Sequence, residues 1–166
     1  MILEYISDKG FILGTTTFNW GESRELIREK LKNRHEQDDD ILDVAQSVSK
    51  DLNHNIERRR DIYEDLENEE NYFFLSYDHM NGLKELEVHW GIRVHVDNVE
   101  MEFEKDIDIY LKQLKSKGHE YKELEQGNYI FKELKFTIAD SASMGGDGNA
   151  LSYFYAGENI EHLIEE

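Results

Sequence analysis

Three features of the sequence predict an α+β domain with a mainly antiparallel sheet and two principal helices. Apolar and polar residues alternate with a period of two from Tyr72 to Phe103, interrupted by an Asn81-Gly82 turn. Two segments switch to a helical period, one after Asn19 and one after Glu104. Short apolar runs in the last third are separated by glycine-rich or polar breaks. Strands gathered in runs, with only two helices between them, argue for α+β rather than alternating α/β architecture. At 166 residues the chain is read as a single domain spanning 1–166, long enough to bury a substantial core.

The chain opens with Ile2 to Ile6, a turn at Ser7-Asp-Lys-Gly10, and a second extended piece from Phe11 through Phe18, a predicted hairpin. Asn19-Trp-Gly-Glu22 has capping-box form and predicts a following helix. That helix turns Leu26, Ile27 and Leu31 to the core and covers its other sides with Arg24, Arg28, Lys30, Lys32 and Arg34. Trp20 reads as a packing anchor beside it. From His35 to Arg60 the pattern weakens, and the expectation is a mobile loop holding a short helix around Ile41 to Val48. Arg58-Arg-Arg60 adjoins the acidic run beginning at Asp61 and is expected to pair with it.

Tyr72 to Tyr77 and Leu83 to Trp90 are predicted to pair across the Asn-Gly turn. On the second strand Leu86, Val88 and Trp90 face one way, and Glu85 and Glu87 the other. After Gly91, which permits a bend, the alternation resumes through Ile92, Val94, Val96, Val99 and Met101. The expected product is one sheet with an apolar face and a face of carboxylates, whose mutual repulsion asks for a cationic partner. The second helix is predicted from Glu104 to Lys117, stopped by Gly118, with Phe103, Ile107, Tyr110, Leu111 and Leu114 forming its apolar stripe. Strands at 121–124, 128–131, 134–139 and 150–155 follow, with Ser141 to Asn149 as a hairpin loop and a terminal helical turn or acidic tail after Ile160.

Charge is the strongest compositional fact. The net charge is −18, and residues 61–110 hold 15 Asp and Glu against Lys84, Arg93 and Lys105. Such a field repels nucleic acid and anionic membrane and steers cationic partners inward. With no cysteine, disulfides, thiolate metal sites and Cys nucleophiles are excluded. Met1 to Lys9 lacks a basic leader pattern, and no run approaches the roughly 18 apolar residues of a membrane span, so a cytoplasmic location is expected. The seven histidines show no metal-binding helix spacing, and no cofactor or metal is expected.

In layout the chain resembles the immunity proteins of bacterial toxin–immunity systems, including contact-dependent inhibition. The resemblance rests on the Gly10-Phe-Ile-Leu-Gly14 segment leading into a helix, the acidic central sheet, and the second helix with its closing strands. It implies a non-enzymatic inhibitor that binds a cognate toxin, often a basic nuclease, and covers its active site. By charge, the toxin-facing surface is assigned to Glu85, Glu87, Asp97, Glu100 and Glu102, with Asp61, Glu64 and Asp65 leading an alternative patch through Glu67, Glu69 and Glu70. Two rivals stand beside this reading. Glu133-Leu-Lys135 has the spacing of a metal-dependent nuclease or hydrolase, in which the carboxylate binds Mg²⁺ and the lysine stabilises charge. A DNA-mimic inhibitor of a DNA-binding protein would carry its acids in two rows at phosphate spacing.

Overall fold

The computed structural model describes residues 1–43, 55–64 and 72–164, the side chains of 40–43 and 55–57 excepted. The fold is α+β and mainly sheet, as the sequence predicts, but the strands divide between two sheets. In chain order they are β1 (Ile2–Ile6), β2 (Gly10–Leu13), β3 (Thr16–Asn19), helix α1 (Arg24–Lys30), β4 (Glu36–Gln37), β5 (Asp40–Asp43), β6 (Asn55–Glu64), β7 (Tyr72–Tyr77) and β8 (Leu83–Trp90). Then come β9 (Arg93–Val96), β10 (Val99–Met101), helix α2 (Ile107–Ser116), β11 (Lys122–Glu125), β12 (Asn128–Phe131), β13 (Phe136–Asp140) and β14 (Leu151–Gly157).

The smaller sheet runs β10-β9-β1-β2-β3, with β1 and β9 parallel and the other neighbours antiparallel. The larger runs β11-β12-β13-β14-β8-β7-β6-β4, and β5 pairs β6. Leu3, Tyr5, Phe11, Phe18, Val94 and Met101 from the first sheet, and Phe73, Leu75, Leu86, Val88, Phe136 and Phe154 from the second, belong to one buried cluster. Tyr5 joins the two sheets directly. Its ring meets Phe136 at 6.0 Å and Phe154 at 5.8 Å, both edge-on, and its hydroxyl donates to the Leu134 carbonyl at 2.8 Å. Each such aromatic pair adds about 0.5–1.5 kcal/mol to the burial of its rings.

Three local expectations are corrected. Asn19 ends β3 and caps nothing. Glu22 does reach back to the Asn19 amide at 3.3 Å, but the N-cap of α1 is Ser23, whose hydroxyl accepts from Leu26 N. The backward half of a capping box forms here in a turn, one residue short of the helix. On α1 itself Ile27 and Leu31 are buried, whereas Leu26 is 41% exposed and Arg24 is buried in its place. The expected loop with a short helix is largely sheet in its described parts, with β4, β5 and a ten-residue β6, while 44–54 lies outside the described residues.

The second helix forms in the expected segment, starting at Ile107 rather than Glu104. Asp106 caps it, its carboxylate accepting from Asp108 N at 2.9 Å, and Ile107, Tyr110, Leu111 and Leu114 are buried. Close approach fixes one glycine. Gly10 has φ +135°, and a Cβ there would stand 2.1 Å from the Phe18 carbonyl oxygen across the β2–β3 ladder. Gly10→Ala is therefore expected to destabilise the protein by about 1–3 kcal/mol, read as a lower urea midpoint with an unchanged slope.

Candidate functional site

The chain leaves the large sheet at Gly91, whose φ of +65° belongs to the left-handed region, and enters the small sheet at Arg93. That turn separates the carboxylates that the period-two pattern had placed on a single face. Glu85 and Glu87 lie on β8 in the large sheet. Asp97, Glu100 and Glu102 lie on or beside β9 and β10 in the small one. The single acidic sheet face expected from the sequence is thus corrected to two groups on different sheets.

Most of these acids also have partners within the chain. Glu85 pairs with Lys84 at 3.1 Å. Glu87 accepts from the Tyr153 hydroxyl at 3.0 Å and stands 3.4 Å from His89 Nε2, a spacing without hydrogen-bond alignment. Burial pushes the Glu87 carboxyl up, yet the contacts with His89 and Tyr153 outweigh it and hold the group below its ordinary range. Asp97 accepts from His119 at 2.8 Å, and Glu100 takes His95 at 2.7 Å and Arg93 at 3.1 Å. Those hydrogen bonds hold both carboxyls below the usual value. Glu64 is exposed at the end of β6, and Asp65, with Glu67, Glu69 and Glu70, lies outside the described residues.

Asp61 departs furthest from expectation. It faces the core, fully buried, with its register partner Leu75. Arg24 reaches it from α1 at 2.6 Å and Arg28 at 2.7 Å, and Arg24 also grips Asp39 at 2.7 Å while its guanidinium lies 5.0 Å from the Tyr77 ring centre. Asp61 is therefore an internal counter-ion and is corrected as a surface residue. Among the described residues Arg60 and Arg58 bind Asp38, and Arg59 donates to Asn81 at 2.9 Å, while most of the acidic run with which the arginines were expected to pair, 65–70, lies outside the described residues.

Glu102 has a different setting. It borders a hollow of about 240 Å³ lined by Trp90, Gly91, Ile92, Arg93, Phe103 and Glu104. Trp90, expected on the buried face, is 40% exposed. The cause is a bulge: Phe73 opposes Val88 while Tyr72 opposes Trp90, so β8 carries one extra residue, His89, and the alternation fails there. Neither Glu102 nor Glu104 has an ion-pair partner among the described residues. A hollow that holds a large ring and two carboxylates without ion-pair partners can receive a lysine or arginine, whose charge is drawn both to a ring face and to acids. Sequence reasoning found Glu102 and missed Trp90, since a bulge leaves no mark in an alternating pattern.

Glu133 and Lys135, the pair of the hydrolase alternative, stand at the turn between β12 and β13. Glu133 is exposed in a 3₁₀ turn between β12 and β13, and Lys135 points to Asp8 at 2.5 Å. Among the described residues no group of three His, Asp or Glu side chains stands at metal-binding spacing. Titration with Mg²⁺ or Mn²⁺ is expected to release no heat that depends on Glu133. Heat that vanishes in Glu133→Ala would favour the hydrolase reading. Ser141 to Asn149 connects β13 to β14, braced by Asp140, which accepts from Ser143 N at 2.8 Å. Compared with protein-family models, with curated proteins and with solved structures, the chain gives no match.

Proposed function

We propose that this chain is a non-enzymatic binding protein for a basic protein partner, and that the partner is a toxin neutralised as immunity proteins neutralise theirs. The observation that carries the reading is the Trp90 hollow, which a 40% exposed indole shares with Glu102 and Glu104. Interfaces draw most of their affinity from a few large anchors of this kind, and tryptophan is prominent among them. The net charge of −18 supplies the long-range part, attracting a cationic partner before contact. Paired acids such as Asp97 and Glu100 contribute little at the interface, because their histidines already satisfy them. No helix of the described residues is long and apolar enough to cross a membrane.

The test uses the full chain and the protein encoded beside its gene. Association rates are expected to fall steeply as salt rises, since the Debye length shrinks from about 10 Å at 0.1 M to about 3 Å at 1 M. Cells producing the neighbouring protein are expected to survive only when this chain is present. Equal survival with and without it, or a complex indifferent to salt, would overturn the proposal.

A further inference from the structure

A second concavity, of about 630 Å³, opens between the small sheet and the segment that follows α1. Its charge is opposite to that of the molecule. Among the described residues Lys30, Lys32, Arg34 and Arg93 line it together with one carboxylate, Glu4, in a chain whose net charge is −18. Ile2, Ile12, Leu13 and Leu31 supply an apolar floor. The volume is that of an ordinary small-molecule site, and apolar walls with a few placed polar groups are the usual construction.

Two of the cations are held in place before any ligand arrives. Lys30 is bound to Glu22 at 2.5 Å and to the Thr17 carbonyl at 2.8 Å, and Arg93 is bound to Glu100 at 3.1 Å. Lys32 is exposed and has no ion-pair partner among the described residues. Its backbone is left-handed at φ 58°, and Asn33 follows at φ 55°. Left-handed geometry is unfavourable for a lysine, and here it turns the chain after α1 so that Lys32 and Arg34 both border the cleft.

We propose that this cleft binds a small amphiphilic anion, a molecule carrying a carboxylate, phosphate or sulfonate group on an apolar body. The apolar part rests on Ile2, Ile12 and Leu31, and the anionic group meets Lys32 and Arg93 at the rim. The cleft shares Arg93 with the Trp90 hollow but differs from it in charge and in the partner it takes, and Lys32, which lines only the cleft, lets either proposal fail by itself.

The probe is 8-anilino-1-naphthalenesulfonate, titrated into the full chain and followed by fluorescence and calorimetry, beside its uncharged relative N-phenyl-1-naphthylamine. Saturable binding of one anion per chain is expected, with much weaker binding of the neutral compound. Lys32→Asn, which removes the charge with a residue tolerant of left-handed backbone, and Arg93→Gln are each expected to weaken the anion by about tenfold. Lys112→Gln, on the exposed side of α2, leaves it unchanged. A variant that collapses to a molten state binds more of this dye, and one that unfolds fully is recognised by its lost far-UV circular dichroism. Displacement by decanoate or by an alkyl phosphate supports the site and tells which headgroup it prefers. Binding that does not saturate, equal binding of the neutral compound, or no effect of either cleft substitution would overturn it.

Discussion

Asp61→Ala is expected to lower the unfolding free energy by about 3–5 kcal/mol, because it leaves Arg24 and Arg28 charged without their shared counter-ion. Asp61 is fully buried and Arg24 is 5% exposed, so water cannot take over the missing contacts. Asp61 lies 33 residues from Arg28 and 37 from Arg24 in sequence, and this ion cluster ties the strand that carries it to the helix that carries them. Urea unfolding at neutral pH measures the loss. Asp61→Asn keeps the shape and one acceptor oxygen and is expected to lose less, which secures a folded comparison if the alanine variant does not fold. A change below about 1 kcal/mol in both variants would mean that the cluster is not what fixes α1.

The same cluster sets the response to acid. Burial raises the Asp61 carboxyl, but hydrogen bonds from Arg28 and Arg24 overcome that and leave it below the ordinary aspartate value. Arg24 likewise lowers Asp39. For a group depressed in the folded state, the stabilisation is complete above the unfolded value and disappears as pH falls through the folded one. Stability is therefore expected to decline below the ordinary aspartate range, and Asp61→Asn flattens that decline.

The second large effect concerns recognition. Trp90→Ala is expected to weaken the complex with the basic partner by about 2–4 kcal/mol, roughly 30-fold or more in Kd, while the thermal midpoint stays nearly unchanged. Stability is spared because Trp90 is already 40% exposed and outside the buried cluster. Glu102→Gln and Glu104→Gln are expected to act mainly on the association rate and its salt dependence. Their combined effect with Trp90→Ala should be less than the sum, since all three border one hollow. Full affinity in Trp90→Ala would remove the hollow from the interface.

Local patterning determined a good deal. The hairpin at Asn81-Gly82, the strand Tyr72–Tyr77 and helix α2 with its buried stripe are legible because each is set by neighbours within a few residues. The overall α+β class follows from their order. Charge was legible only as a total: −18 is a property of composition, whereas each acid's environment depends on residues remote in the chain.

Tertiary structure alone decided where those acids went. Gly91 passes the chain from one sheet to another, so an unbroken alternation in sequence becomes two surfaces in space. Asp61 looks like the first residue of an acidic run, yet its register with Leu75 turns it inward to meet arginines that helical periodicity alone had placed in solvent. Trp90 looks like the next member of a buried row, and the extra residue at His89 brings it to the surface. Period and composition specify which residues can share a face, but sheet membership, bulges and long-range ion pairs are settled by packing between segments far apart in the chain.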